Sequence, residues 1–262
     1  HGYRENSKDW SERTRLALLD RKSGRRIRLT TSWTLNPSEY AFADEKTVVL
    51  FAACEGRTAM YTVDLKAAVQ SNGIVPRERL CGGTFVGLRC AGGRVFTTST
   101  TIDAPPEAMS VRVTGTRPVE HTAFTDATMS EVKLGRVEDV TLPGTGDEPI
   151  QMFLIHPPGA AKGAKKKRPL VHLIHGGPHS VFGDQWHWRW CAQLFAARGY
   201  LVAMVNYHGS DGWGQEYTSS IRGAWGDRSY HDIMLATDWL IEKGHADPKR
   251  MAATGGSYGG YM

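Results

Sequence analysis

Residues 251–262 read Met251-Ala252-Ala253-Thr254-Gly255-Gly256-Ser257-Tyr258-Gly259-Gly260-Tyr261-Met262. Within them, Gly255-Gly256-Ser257-Tyr258-Gly259 fits G-x-S-x-G. That pattern marks a sharp turn from strand into helix that raises a serine hydroxyl above a sheet. The serine backbone is forced into an unfavourable conformation there, and glycines flank it because a Cβ would clash at the bend. Alone the pattern is weak, since a glycine-rich loop with an incidental serine fits it equally well. Its surroundings favour the turn: Met251 to Thr254 suits a short strand, and Asp247-Pro248 before it reads as a turn.

The region upstream alternates strand and helix. Val137 to Leu142 and Ile150 to Pro157 are predicted strands joined by Gly144-Thr145-Gly146-Asp147. Pro169 to His175 is an apolar strand followed at once by Gly176-Gly177-Pro178. Trp186 to Arg198 is predicted as a helix with Trp190, Cys191, Leu194 and Phe195 on one face and Gly199 as its stop. Tyr200 to Tyr207 is almost continuously apolar, as a strand covered on both faces must be. Asp232 to Lys243 is the next helix, with Ile233, Ala236, Thr237 and Leu240 at helical spacing. Two strands, then strand–helix–strand–helix–strand–serine, is the opening order of an α/β-hydrolase sheet, so the fold class is α/β.

The first half reads differently. From His1 to about Ala127, short alternating segments are separated by Gly, Asn and Pro turns. Leu16 to Asp20 pairs with Arg25 to Thr30, Val48 to Ala53 with Met60 to Leu65, and Gly93 to Thr98 with Met109 to Val113. The recurrence from Asp20 to Asp64 and from Met60 to Met109 fits four-stranded propeller blades, with an ordinary sandwich as the alternative. The predicted organisation is part of a β-propeller over residues 1–128 and part of an α/β-hydrolase domain over residues 129–262. The chain begins with His1 and ends inside a motif, so it is read as a fragment of a longer polypeptide.

Net charge is +5, and Lys165, Lys166, Lys167 and Arg168 carry four of those charges. No aromatic accompanies this run, so it is predicted to be an exposed linker rather than a nucleic-acid contact. No apolar run reaches the length of a membrane span. Cys54, Cys81, Cys90 and Cys191 form no C-x-x-C and are expected to be reduced, buried thiols in a protein of cytoplasmic type. No metal or cofactor is expected, and the oligomeric state is left open.

Acyl transfer needs a nucleophile, N–H donors for the oxyanion, and a base. Ser257 is the predicted nucleophile. The backbone N–H of Tyr258 is one predicted oxyanion donor, and Gly177, in the loop after the third strand, is the other. His175, Gly176 and Asn206 are expected to shape the pocket. The order on this fold is Ser, then Asp or Glu, then His. All ten histidines precede Ser257, so base and carboxylate are expected downstream, and residues 1–262 alone are expected to be inactive.

The strings HGGPHSVFGDQWHWRWCAQLFAARGYLVAMVNYHGSDGWG, IRGAWGDRSYHD and GGSYGGYM together resemble the prolyl oligopeptidase family of serine peptidases. The resemblance is nearest to its acylaminoacyl-peptidase-like branch and runs strongly from about Pro169 to Met262. It implies an N-terminal propeller that restricts access, hydrolysis of short peptides through an acyl-enzyme on Ser257, and an oxyanion hole from Gly177 and Tyr258. It also implies that many relatives carry Arg where His208 stands. Two other readings stay open: an esterase on the same fold, and a non-catalytic propeller protein used for binding.

Overall fold

Alternation in the first half becomes antiparallel sheet in the computed structural model, which describes residues 2–4, 11–163 and 166–262. Of the basic run, Lys165 lies outside the described residues. The strands are β1 (Gly2–Arg4), β2 (Thr14–Leu19), β3 (Arg26–Arg28), β4 (Pro37–Phe42), β5 (Thr47–Cys54), β6 (Arg57–Asp64), β7 (Arg77–Cys81), β8 (Thr84–Ala91), β9 (Arg94–Thr101), β10 (Ala104–Arg112) and β11 (Val119–Glu120). They form one three-stranded sheet, β1-β2-β3, and two four-stranded sheets, β4-β5-β6-β7 and β8-β9-β10-β11, each in chain order. All three predicted strand pairs are present, and β4, β7, β8 and β11 extend them. Met60 and Met109 both fall on the third strand of their sheets, so that recurrence is a structural repeat, whereas Asp20 follows the second strand of its sheet and Asp64 ends the third of its own.

The hairpin between β5 and β6 shows how the sequence sets this register. Cys54 pairs with Arg57 across Glu55-Gly56. Both loop residues have positive φ, 48° and 73°. A two-residue loop with that geometry matches the twist of the strands it joins. The β4–β7 sheet is covered on both faces. Leu50, Ala52, Ala59 and Tyr61 pack with Leu16, Leu29 and Trp33 on one side. Val49, Phe51 and Met60 pack with Phe85, Val95 and Val111 on the other. A short helix, α1 (Leu65–Gln70), follows β6 and is capped by Asp64, whose carboxylate accepts the Ala67 N–H.

The expectation of buried thiols holds for Cys191 alone. Cys81 is exposed, and Cys54 and Cys90 are half-buried. Cys81 ends β7, which is the last strand of its sheet and has no neighbour to cover it within that sheet.

By its contacts the chain divides into two compact units. The first comprises His1–Thr100, Pro106–Phe124 and Asp211–Glu216, and the second Thr101–Pro105, Thr125–Ser210 and Tyr217–Met262. The second contains α2 (Asp126–Ser130), β12 (Val137–Pro143), β13 (Pro149–Ile155), β14 (Arg168–Ile174), α3 (Ala192–Ala197), β15 (Leu201–Asn206), α5 (Arg228–Glu242), β16 (Ala246–Gly255) and α6 (Tyr258–Tyr261); α4 (Gln215–Ser219) precedes α5. Its sheet order is β12-β13-β15-β14-β16, antiparallel at the β12 end and parallel from β15 to β16. Every residue of β15 is buried. Leu201, Ala203 and Val205 face Ile233, Ala236 and Leu240 of α5, whereas Val202 and Met204 face Ala192 and Ala196 of α3. The period of two thus feeds two separate cores.

Two local readings are corrected. Trp186 to Cys191 is not helical, and α3 covers only Ala192–Ala197. The ring Nδ1 of His187 accepts the backbone N–H groups of Arg189 and Trp190, which draws those donors out of any helix. The buried face of α3 is accordingly Ala192, Gln193 and Ala196, while Leu194 is exposed. The turn expected at Asp247-Pro248 is a bulge inside a longer strand. Ladder pairing jumps from Arg168↔Ala246 to Leu170↔Met251, with the intervening β16 residues looped out. Asp247 accepts the Lys249 N–H and the Arg250 Nε–H there, and Pro248 has no N–H for the ladder.

Candidate active site

Ser257 stands between β16 and α6 at φ 57° and ψ −122°. This is the left-handed side of backbone space, sparsely used by residues with a Cβ and characteristic of functional strain. The residue is exposed, while Tyr258 and Gly259 behind it are buried. The flanking glycines are required sterically. A Cβ on Gly255 would lie 2.5 Å from the carbonyl oxygens of Ile174 and Gly259, and one on Gly259 would fall on Ile174 O. The close approach is between the end of β16 and the end of β14, which are paired strands.

The loop after β14 packs directly on this turn. A Cβ on Gly176 would lie 3.1 Å from Gly256 O and 3.5 Å from the Ser257 Cβ. Gly177 has φ 123°, and a Cβ there would come within 2.6 Å of the backbone nitrogens of His179 and Ser180. Among the described residues, neither the Gly177 N–H nor the Tyr258 N–H donates to a loop or cap carbonyl.

His175 is fully buried, and burial pulls its pKa down to about 4, so the ring is neutral. Its Nδ1 lies 2.8 Å from Gly176 O, which can only accept, so the single ring proton sits on Nδ1. Nε2 lies 2.9 Å from Ser210 Oγ, whose hydroxyl donates to Tyr207 O at 2.7 Å. Tyr207 stacks on the ring at 4.2 Å and donates its hydroxyl to His175 O. His175 therefore fixes the glycine loop and is not a base for Ser257. No described histidine is hydrogen-bonded to Ser257.

Asn206 is a holding residue rather than part of a pocket wall. It is fully buried at the end of β15. Its Oδ1 accepts the Phe182 N–H at 2.8 Å, and its Nδ2 donates to Phe182 O at 3.0 Å and to Gln151 Oε1 at 2.6 Å. Two bonds to one backbone residue clamp the far end of the loop that begins at Gly176.

Residue chemistry at His208 carries more than its isolated position in sequence suggested. His208 is wholly buried, with Nδ1 2.6 Å from Asp232 Oδ2 and Nε2 2.9 Å from Glu148 Oε2. Asp232 Oδ2 also accepts the His208 N–H, and its Oδ1 accepts the Thr145 N–H and Oγ1–H. Arg228 reaches the second oxygen of Glu148 at 3.3 Å, and Tyr217 stacks on the His208 ring at 4.6 Å. Burial alone would push the imidazole pKa down, but the hydrogen bonds and charges of Asp232 and Glu148 outweigh it and raise it. Asp232 is likewise pushed up by burial but held net below the usual carboxylate range by its donors. No motif in the sequence joins Glu148, His208 and Asp232; only their convergence in space does.

A cavity of about 200 Å³ opens beside the nucleophile, lined by His175, Gly176, Gln185, His187, Trp190 and Gly256 among others. Of the predicted pocket residues, His175 and Gly176 line it. Gln185, His187 and Trp190 were not anticipated, because Trp190 had been assigned to a helix face. Among the described residues, no cluster of three His, Cys, Asp or Glu side chains is arranged to hold a metal.

Residues 186–262, which carry this cavity edge, the His208 cluster and the serine turn, match the prolyl oligopeptidase family. Similar curated proteins include a dipeptidyl-peptidase 5 of Schizosaccharomyces pombe, 28% identical over 261 residues, covering 96% of this chain and 36% of that protein. A probable dipeptidyl-peptidase 5 of Emericella nidulans is 28% identical over 259 residues, covering 96% of this chain and 35% of the relative. The chain thus spans about a third of the length of the curated relatives it matches. Among solved structures, Pyrococcus horikoshii acylaminoacyl peptidase superposes with a TM-score of 0.82 at 21% identity, covering 99% of this chain and 39% of that one. At that identity the likeness is one of fold.

Proposed function

We propose that the whole protein is a serine peptidase that hydrolyses short peptides through an acyl-enzyme on Ser257. The observation that carries this reading is the pairing of a strained, exposed serine at φ 57° with a glycine loop whose Gly176 abuts its Cβ. In this reading residues 1–128 contribute propeller blades and residues 129–262 the hydrolase sheet. Ser257 Oγ attacks the scissile carbonyl, and the Gly177 and Tyr258 N–H groups receive the oxyanion. Donors so placed are worth about 2.7–4 kcal/mol each in comparable sites. His175, Ser210 and Asn206 keep the loop in place. The general base comes from elsewhere in the whole protein, since both nitrogens of buried His175 and His208 are already engaged. Peptide substrates are favoured over esters by the relatives named as dipeptidyl peptidases and by an acylaminoacyl peptidase neighbour solved with Z-Gly-Gly-Phe-chloromethyl ketone. Replacing Ser257 with Ala in the whole protein should abolish turnover of aminoacyl and acyl-aminoacyl chromogenic substrates. Undiminished turnover in that variant would overturn the assignment.

A further inference from the structure

The cavity beside Ser257 has donors around it and no acidic wall. Among the described residues that line it, none is Asp or Glu. His187 Nδ1 accepts the N–H groups of Arg189 and Trp190 at 3.2 and 2.9 Å. In the neutral ring the proton is therefore on Nε2, and His187 is part of the cavity lining. Gln185 supplies a side-chain amide to the same cavity.

Arg189 stands beside this lining, next to Trp190 and Gly256. Its guanidinium lies 5.5 Å from the Trp190 ring centroid, a cation–π distance, and the residue is exposed. Among the described residues no carboxylate pairs with it. A side chain begun at Gly256 would have its Cβ 3.9 Å from Arg189 Nη2 and 3.1 Å from Trp190 Cζ2. Gly256 immediately precedes the nucleophile, so a positive, planar donor fork lies about one side chain away from the reacting serine. Trp190 holds the fork from behind, which reduces the side-chain freedom lost on binding.

We propose that Arg189, with His187 and Gln185, forms a subsite that binds a carboxylate of the substrate next to the scissile bond. This rests on the peptidase reading of Ser257. The favoured source is the terminal α-carboxylate of the peptide. One residue of extended chain spans about 3.3–3.6 Å, and the proposal places the terminus one or two residues beyond the cleaved bond. An acidic side chain flanking that bond is the other source of the same group. The subsite makes short peptides with a free C-terminus the preferred substrates and gives no advantage to their amides.

The test uses the whole protein in two arms. In the binding arm, the Ser257→Ala variant is titrated calorimetrically with a tripeptide as free acid, as its C-terminal amide, and as amides carrying Asp or Asn beside the scissile bond. The free acid should bind at least about tenfold more tightly than its amide, as charge-assisted bidentate bonds to Arg predict. Arg189→Gln in the same background should remove that preference, and Arg189→Lys should restore part of it. A preference for Asp over Asn that Arg189→Gln removes would support the subsite and identify its carboxylate as a side chain. Equal affinities across all four peptides would overturn the proposal. In the kinetic arm, Arg189→Gln should lower kcat/KM about tenfold for the free acid and leave the amide unchanged; equal losses on both would also overturn it. If Ser257→Ala left turnover intact, the peptidase reading would fail, while the binding arm would still decide the subsite.

Discussion

His208→Ala removes the centre of a heavily bonded buried polar cluster in the second unit, and its cost follows from the bonds it breaks. Two ring contacts are lost, at 2.6 Å to Asp232 and 2.9 Å to Glu148, along with the stack on Tyr217. Asp232 stays buried and charged without its counterion. Breaking a buried pair from one side costs about 3–5 kcal/mol. Here Asp232 keeps three donors, the backbone N–H groups of residue 208 and Thr145 and the Thr145 hydroxyl, which places the loss near 3 kcal/mol. At about 2–4 °C per kcal/mol for a chain of this size, the midpoint of thermal unfolding should fall by about 6–12 °C. The pH dependence adds a second signature. The His208 pKa is raised in the fold, so its stabilisation is fully present below the ordinary value of about 6.5 and is lost as pH rises through the raised one. Asp232 is lowered, so its share is present above about 3.9 and is lost as pH falls through the lowered value. The difference between wild type and variant should therefore be largest between about pH 4 and 6.5 and shrink as pH rises through the raised His208 value. Unfolding followed by circular dichroism at pH 6 and pH 9 measures it. A fall of less than about 2 °C at pH 6, or an equal fall at both pH values, would refute the ion-paired assignment.

Other outcomes are expected at the loop and on the surface. Gly177→Val should lower kcat of the whole protein by about 10²-fold or more and also cost stability, because its Cβ meets the His179 and Ser180 nitrogens at 2.6 Å from a φ of 123°; steady-state kinetics with a melting curve will separate the two effects, and an unchanged kcat would move the second oxyanion donor elsewhere. Asn206→Ala should release Phe182 and raise hydrogen exchange at residues 176–182, and unaltered exchange there would show that the clamp is dispensable. Replacing the exposed Lys166 and Lys167 with Ser should change stability by less than about 0.5 kcal/mol and activity by less than twofold; a larger loss of activity would mean that the run touches substrate.

The sequence by itself determined the serine turn, the strand–helix order around it and the repeated strand pairs of the first half. These are legible because they rest on local steric rules: glycine where a Cβ has no room, as at Gly255 and Gly259; an unbroken apolar run where both faces are covered, as in β15; and a two-residue loop at Glu55-Gly56 that matches strand twist. Local rules failed where a side chain competes with the backbone. His187 captured two N–H groups and kept Trp186 to Cys191 out of the helix that its apolar spacing predicts, and this exposed the cavity edge at Trp190. Only the tertiary structure decided the roles of His175, Asn206 and His208. Each is a buried polar group whose meaning depends on what satisfies it: Gly176 and Ser210 for His175, Phe182 and Gln151 for Asn206, Asp232 and Glu148 for His208. Those partners lie on separate elements of the sheet, and no spacing along the chain encodes their convergence, because it is folding that brings the ends of β13, β14, β15 and α5 together.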